Sequence, residues 1–180
     1  MAGAATPERR SASVEVRAKG RRLEGHAALF GVEARIGTFS ETIRAGAFKG
    51  SLGRDVLALV DHDPGRVLAR TKSGTLRLAE DTRGLAFDLD VPDTSQGRDI
   101  LALAERGDLG GMSFGFTAEP GGDAWTGEKR ELRSVTLHEI SVVLAWPAYQ
   151  GTVVNARSRG IQTPAPRLAL AGRYLETLRG

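Results

Sequence analysis

From Val56 to Val91 the chain alternates short apolar runs with turn signals. Val56–His62 ends in the stretch DHDPG, and Val67–Lys72, Thr75–Glu80 and Gly84–Val91 follow, separated by SG and DTRG. Short runs bounded by Gly, Pro and Asp read as strands, because each turn reverses the chain before an amphipathic helix could complete its buried stripe. Upstream, Val14 and Val16 alternate with Ser13, Glu15 and Arg17, so Ser13–Ala18 is a first strand. KGRR then turns it into Leu23–Phe30, and the two form a hairpin. This rhythm predicts a mainly β chain.

Helices interrupt the pattern in two places. ETIRAGAFKGSL predicts a short helix near Ala45–Leu52, stopped by Gly53. In PDTSQGRDILALAERGDLGG, Thr94 or Ser95 caps a helix whose apolar stripe is Ile100, Leu101 and Ala104, and Gly107 ends it. PGGDAWTGEK reads as a mobile loop, Arg130–Leu144 as a long final strand that can carry a bulge, and WPAYQGTVVNARSR as the segment that closes the domain. The expected architecture is mainly β with a few helices (α+β): about seven strands in a closed or nearly closed β-barrel, flanked by short helices.

A chain of 180 residues suits one such domain with tails. Residues 1–12 are small and polar and are expected to be a disordered N-terminal tail, with the domain over 13–156. Residues 157–180 read as linker and C-terminal tail, where Leu168, Ala171, Leu175 and Leu178 recur at helical spacing. With no cysteine, disulfides and thiolate chemistry are excluded. No apolar run is long enough to span a bilayer, and the N-terminus lacks the apolar core of a signal peptide, so the expectation is a cytoplasmic protein without a membrane role. The net charge of +3 spreads over basic and acidic residues alike, which does not suggest a nucleic-acid partner.

The stretch DLGGMSFGF, Asp108–Phe116, carries the sharpest chemical question. Met112, Phe114 and Phe116 alternate onto one face, and Ser113 stands between Gly111 and Gly115 on the other. It is either an outward polar residue or a nucleophile with room around it for a substrate backbone. A serine needs a base, and the chain has three histidines, His26, His62 and His138. His62 ends an apolar strand between Asp61 and Asp63, placed either to reach into a cleft or to serve as a structural surface histidine.

An imidazole base needs a group that fixes its tautomer, and LHEIS, Leu137–Ser141, supplies His138 and Glu139 on opposite faces of one strand. Simple alternation puts Val135, Leu137, Glu139, Ser141 and Val143 together, with Thr136, His138, Ile140, Val142 and Leu144 opposite. The bland alternative for Glu139 is a surface ion pair with an arginine. A metal site built from the histidines with Asp61 or Asp63 lacks any recognisable ligand spacing, and no phosphate-binding glycine loop is present, so neither a metal nor a cofactor is expected.

In order along the chain, GHAALFG, ETIRAGAF, LVDHD, GDLGGMSFGF with its preceding helix, and LHEISVVLAWPAY resemble the tailed-phage prohead proteases. These are capsid-maturation serine proteases akin to the herpesvirus assemblins, and the resemblance covers roughly residues 13–156. It implies an assemblin-like barrel, His62 as general base, Ser113 as nucleophile and Glu139 as the acidic third member. Assemblins use a second histidine there, which keeps His138 as the alternative; the family pattern leaves that position free and favours Glu139.

The implied substrates are the capsid scaffold, as a separate protein or as a segment of the major capsid protein, and the protease itself. The setting would be the immature capsid in the host cell, for a phage, a prophage or a gene-transfer particle. Relatives of this kind are often activated by association or confinement, so a homo-oligomer is among the implied partners. Two rival readings are a catalytically inactive barrel with a structural role in capsid assembly, and an unrelated hydrolase using Ser113 or Ser141 on a small ester.

Overall fold

A computed structural model describes residues 7–12 and 16–145. Its strands are β1 (Glu8–Ala12), β2 (Val16–Lys19), β3 (Arg22–Leu29), β4 (Ala34–Ile36), β5 (Phe39–Ile43), β6 (Leu57–Val60) and β7 (Asp63–Arg70). They continue with β8 (Leu76–Glu80), β9 (Gly84–Asp90), β10 (Gly111–Ala118), β11 (Asp123–Thr126), β12 (Lys129–Leu132) and β13 (Val135–Val143), and one α-helix, α1 (Ser95–Arg106), lies between β9 and β10. The strands form three sheets, ordered β1-β10-β13-β6-β7, β11-β12-β5-β4 and β2-β3-β9-β8. The chain is mainly β, as expected. Strand pairing among the described residues does not close any of the sheets into a barrel.

One apolar core serves all three sheets, with Leu23 and Leu85 from one, Leu132 from another and Ile140 and Met112 from the third. The alternation in β10 holds: Met112, Phe114 and Phe116 are buried, and the Phe114 ring lies 5.5 Å from Phe48 and 5.3 Å from Phe116. Helix α1 begins and ends where its caps are. Thr94 Oγ1 accepts from the Gly97 amide at 3.1 Å, and Gly107 takes the left-handed conformation at φ 74°, its amide donating back to the Ala104 carbonyl. Ile100 and Ala104 are its buried face, as the stripe predicted.

Several elements differ from expectation. Ala45–Leu52 is not a helix but a turn followed by a single 3-10 turn at Lys49–Ser51, because Gly46 at φ 94° leaves the helical region. That segment is stitched to β13 instead: Ser51 Oγ donates to the Val135 carbonyl at 2.7 Å and accepts from the Leu137 amide at 2.8 Å. The expected loop PGGDAWTGEK contains β11, which pairs with β12 as a hairpin, and the single long strand over Arg130–Leu144 divides into β12 and β13 in different sheets. Pro64 and Gly65 lie within β7 rather than in a turn; β7 is a sheet edge, where a proline costs no ladder bond. The proposed tail helix at Leu168–Leu178 lies outside the described residues.

Residues 8–12, expected within a disordered tail, form β1 along β10. The reason is a charge cluster that alternation of apolar residues does not register. Arg10 clasps Glu41 of β5 with both forks, Nε to Oε1 at 2.7 Å and Nη2 to Oε2 at 2.9 Å. Arg130 of β12 donates to Glu41 Oε2 at 3.1 Å, to both oxygens of Glu8, and to Asp123 at 2.8 Å. Arg10, Glu41 and Arg130 are all buried, so each charge depends on its partners being in place. For Glu8, burial pushes the carboxyl up, but the hydrogen bonds from Arg130 and Arg10 outweigh it and hold the group below its ordinary value.

Candidate active site

The central sheet places β13 between β10 and β6, antiparallel to the first and parallel to the second. Ser113 stands directly opposite Ser141, and Gly115 opposite Glu139. Directly paired residues point to the same face, as do residues two apart. Ser113, Gly115, Glu139 and Ser141 therefore share one face, and Phe114 and Ile140 point into the core on the other.

His62 arrives from the end of β6. Asp61 and His62 both have left-handed backbones, φ 50° and 61°, a conformation uncommon for non-glycine residues though entered more readily by Asp and His than by most. Here β13 holds them: the Asp61 amide donates to the Val142 carbonyl at 2.9 Å, the His62 amide to Ser141 Oγ at 3.2 Å, and Asp61 Oδ1 accepts from the Leu144 amide at 2.9 Å. The tight turn folds the imidazole back toward Glu139. His62 Nδ1 donates to Glu139 Oε1 at 2.7 Å, and Ser141 Oγ donates to Glu139 Oε2 at 2.6 Å. With Nδ1–H engaged by the carboxylate, Nε2 is the basic nitrogen, the tautomer a general base requires. The two side chains are 14% and 12% exposed, so the pair is shielded from water without being sealed from it.

Gly115 makes this pairing sterically feasible. A Cβ there would lie 2.4 Å from Glu139 Oε1 and 3.1 Å from Cδ. The glycine clearing seen in the sequence around Ser113 is thus occupied, on the Gly115 side, by the Glu139 carboxylate; the expectation of room for a substrate backbone is not met at that position. Ser113 itself is fully buried, and its hydroxyl donates to the Arg10 carbonyl of β1 at 2.7 Å. Both edges of Met112–Phe116 are taken by neighbouring strands, β1 and β13.

His138 lies elsewhere. The β10–β13 ladder shifts register between Gly115 and Phe116, so that Phe116 pairs with Leu137 and His138 is the extra residue of a β-bulge. It is exposed and hydrogen-bonded to Thr117 Oγ1 at 3.1 Å. The bulge also corrects the simple alternation: Leu137 joins Ile140 in the core and no longer shares a face with Glu139. The third histidine, His26, pairs with Asp81 at 2.8 Å on another sheet. Among the described residues no group of three or more His, Asp or Glu is arranged to hold a metal ion.

The family model described as caudovirus prohead serine protease matches residues 9–165. The chain belongs to that family. No curated protein and no solved structure matches it. Membership makes this prohead protease a serine peptidase of phage capsid maturation at the level of the family, and the match takes in the segments that bear His62, Ser113 and Glu139. Sequence reasoning singled out those three residues and brought forward Ser141 only as a rival nucleophile. Its spacing of two from Glu139 in a strand is the signal that puts their side chains within reach of each other.

Proposed function

We propose that this prohead protease is a serine endopeptidase that cleaves the capsid scaffold, or the scaffold segment of the major capsid protein, and itself. It would act inside the immature capsid in the host cell. Ser113 is the nucleophile, His62 the general base and Glu139 the carboxylate that orients the base. The observation that carries this reading is the 2.7 Å bond between His62 Nδ1 and Glu139 Oε1, on the sheet face that also bears Ser113.

When substrate seats, the Ser113 hydroxyl exchanges the Arg10 carbonyl for His62 Nε2. The imidazole takes the proton as Oγ attacks the peptide carbonyl carbon, and Glu139 steadies the imidazolium that forms. Collapse of the tetrahedral adduct breaks the C–N bond, and His62 returns the proton to the departing amine. Water attacks the acyl-enzyme by the same route, releasing the new carboxyl end and restoring the serine. The single core shared by the three sheets supports treating them as one wrapped, assemblin-like barrel.

A second reading, a catalytically inactive barrel with a structural role in capsid assembly, draws on the burial of Ser113 and its bond to Arg10. Co-expression with a capsid protein and its scaffold separates the two. The expected result is scaffold processing by the wild-type chain that is lost in Ser113→Ala. Processing unchanged in that variant rules out Ser113 as nucleophile, and absence of processing by the wild type inside assembled proheads favours the structural role.

A further inference from the structure

We infer that Ser141 is a positioning residue of this site, whose hydroxyl sets the Glu139 carboxylate and the His62 backbone together. The inference rests on the reading of His62 and Glu139 as base and orienter. Ser141 is fully buried, and both capacities of its hydroxyl are in use: the proton goes to Glu139 Oε2 at 2.6 Å, and the oxygen accepts the His62 amide at 3.2 Å. Glu139 is gripped at both oxygens, Oε1 by the imidazole and Oε2 by Ser141. A carboxylate held at one oxygen pivots about that contact; held at both, it has a defined plane, and the imidazole bonded to it has a defined direction.

The backbone bond matters independently. His62 follows Asp61 in the left-handed region, which is uncommon for residues with a side chain, and the Ser141 oxygen is the partner that the His62 amide finds there. Ser141 also faces Ser113 directly across the ladder, yet its proton is committed to a carboxylate rather than to an imidazole. In this role it acts through Glu139 and His62, with Ser113 as the nucleophile of the reading on which the inference rests. Removing its hydroxyl leaves Glu139 free to pivot and the His62 turn free to relax, while the residues that would contact substrate are unchanged.

The test uses the full chain in a scaffold-cleavage assay. Ser141→Ala is expected to lower kcat roughly 10- to 100-fold with KM within about twofold, the pattern of misplaced groups rather than lost binding. Ser141→Thr, which keeps a hydroxyl, is expected to recover most of that loss. In a Glu139→Gln background, adding Ser141→Ala should slow cleavage by less than it does in wild type, because only the bond to the His62 amide is then left to lose.

A wild-type kcat in Ser141→Ala, with Glu139→Gln strongly impaired, overturns the inference and leaves the protease reading standing. Multiplicative losses in the double variant overturn it as well. If thermal melts show that the added methyl of Thr unfolds the buried site, the Ala variant and the double variant decide. A fluorophosphonate label is expected on Ser113 in wild type and Ser141→Ala alike; a label on Ser141 would make it the nucleophile and overturn the positioning role. Cleavage that survives Ser113→Ala refutes the protease reading itself, a result distinct from all of these.

Discussion

Replacing Gly115 with alanine tests the site without touching any residue assigned to the chemistry. The new Cβ would sit 2.4 Å from Glu139 Oε1, 3.1 Å from Cδ and 3.2 Å from Cγ. Carbon and oxygen settle at about 3.4 Å or more, so the carboxylate has to retreat by about 1 Å. Oε1 is the atom bonded to His62 Nδ1 at 2.7 Å, and a retreat of about 1 Å takes that contact past the hydrogen-bond range. Oε2 is anchored to Ser141, which limits how Glu139 can pivot to compensate.

A displacement of that size should lower kcat by about 100-fold, and by as much as about 10,000-fold if the imidazole loses its tautomer control. Overpacking costs about 1–3 kcal/mol, partly offset by about 0.4–1 kcal/mol from the stiffer unfolded chain. The net loss of up to about 2.6 kcal/mol should lower Tm by up to about 10 °C for a domain of this size. Scaffold cleavage and a thermal melt on the same preparation read both effects. Gly50→Ala, whose Cβ would meet nothing within 4 Å, serves as the neutral control. Wild-type cleavage and melting in Gly115→Ala would show that the carboxylate does not lie over this glycine, or that its position is irrelevant to activity.

Glu139→Gln should lower the cleavage rate by about 1,000- to 10,000-fold, and His138→Ala should stay within a few-fold of wild type, because only Glu139 holds the imidazole; the reverse order in the same assay would overturn the choice of third member. Glu41→Ala removes the buried carboxylate that Arg10 clasps with two nitrogens, leaving that guanidinium with Glu8, and weakens the hold on Arg130; it should destabilise the chain by about 3 kcal/mol in urea denaturation, against less than about 1 kcal/mol if the cluster is solvated. Asp81 is lowered from 3.8 to about 2, first by its hydrogen bond to His26 and then by the amides of Arg83 and Gly84. A depressed carboxyl contributes stability above its unfolded pKa and loses it as acid protonates the folded group. Asp81→Asn should therefore remove a component of acid destabilisation between about pH 4 and 2 in a pH-melting series, and an unchanged acid limb would count against the clamp.

Several strands and helix α1 were readable because each depends on local signals: alternation in Met112–Phe116, a Thr94 cap, a glycine at 107 free to turn left-handed. The pair at the site was reachable only through the resemblance, since residues 77 apart carry no mutual signal in a single chain. Two of the features that escaped did so for definite reasons. A bulge in the last strand was expected, but not its place at His138: it changes which residues face the core without changing composition or turn content, so alternation carried through Leu137 misplaces that residue by one position. The order in β1 comes from Arg10 meeting Glu41 in another sheet, and a short polar stretch read by itself gives no hint of a buried partner 31 residues away. The glycine at 115 was noticed as empty space, but only the cross-strand register identifies what fills it.

The parallel pairing of β6 with β13 has a consequence for the timing of synthesis. A parallel neighbour needs a crossover, and here the intervening chain contains most of the other strands and α1. His62 emerges from the ribosome early, but the strand that carries its carboxylate partner and pins its backbone is the last of the described strands to be made. Domains begin folding during synthesis at about 5–20 residues per second, so the nascent protein passes several seconds with β6 lacking one of its two neighbours. Throughout that interval the imidazole has neither its orienting carboxylate nor its left-handed turn secured. On the proposed reading of His62 and Glu139 as base and orienter, the nascent chain is thus proteolytically silent until translation of the described strands is completed.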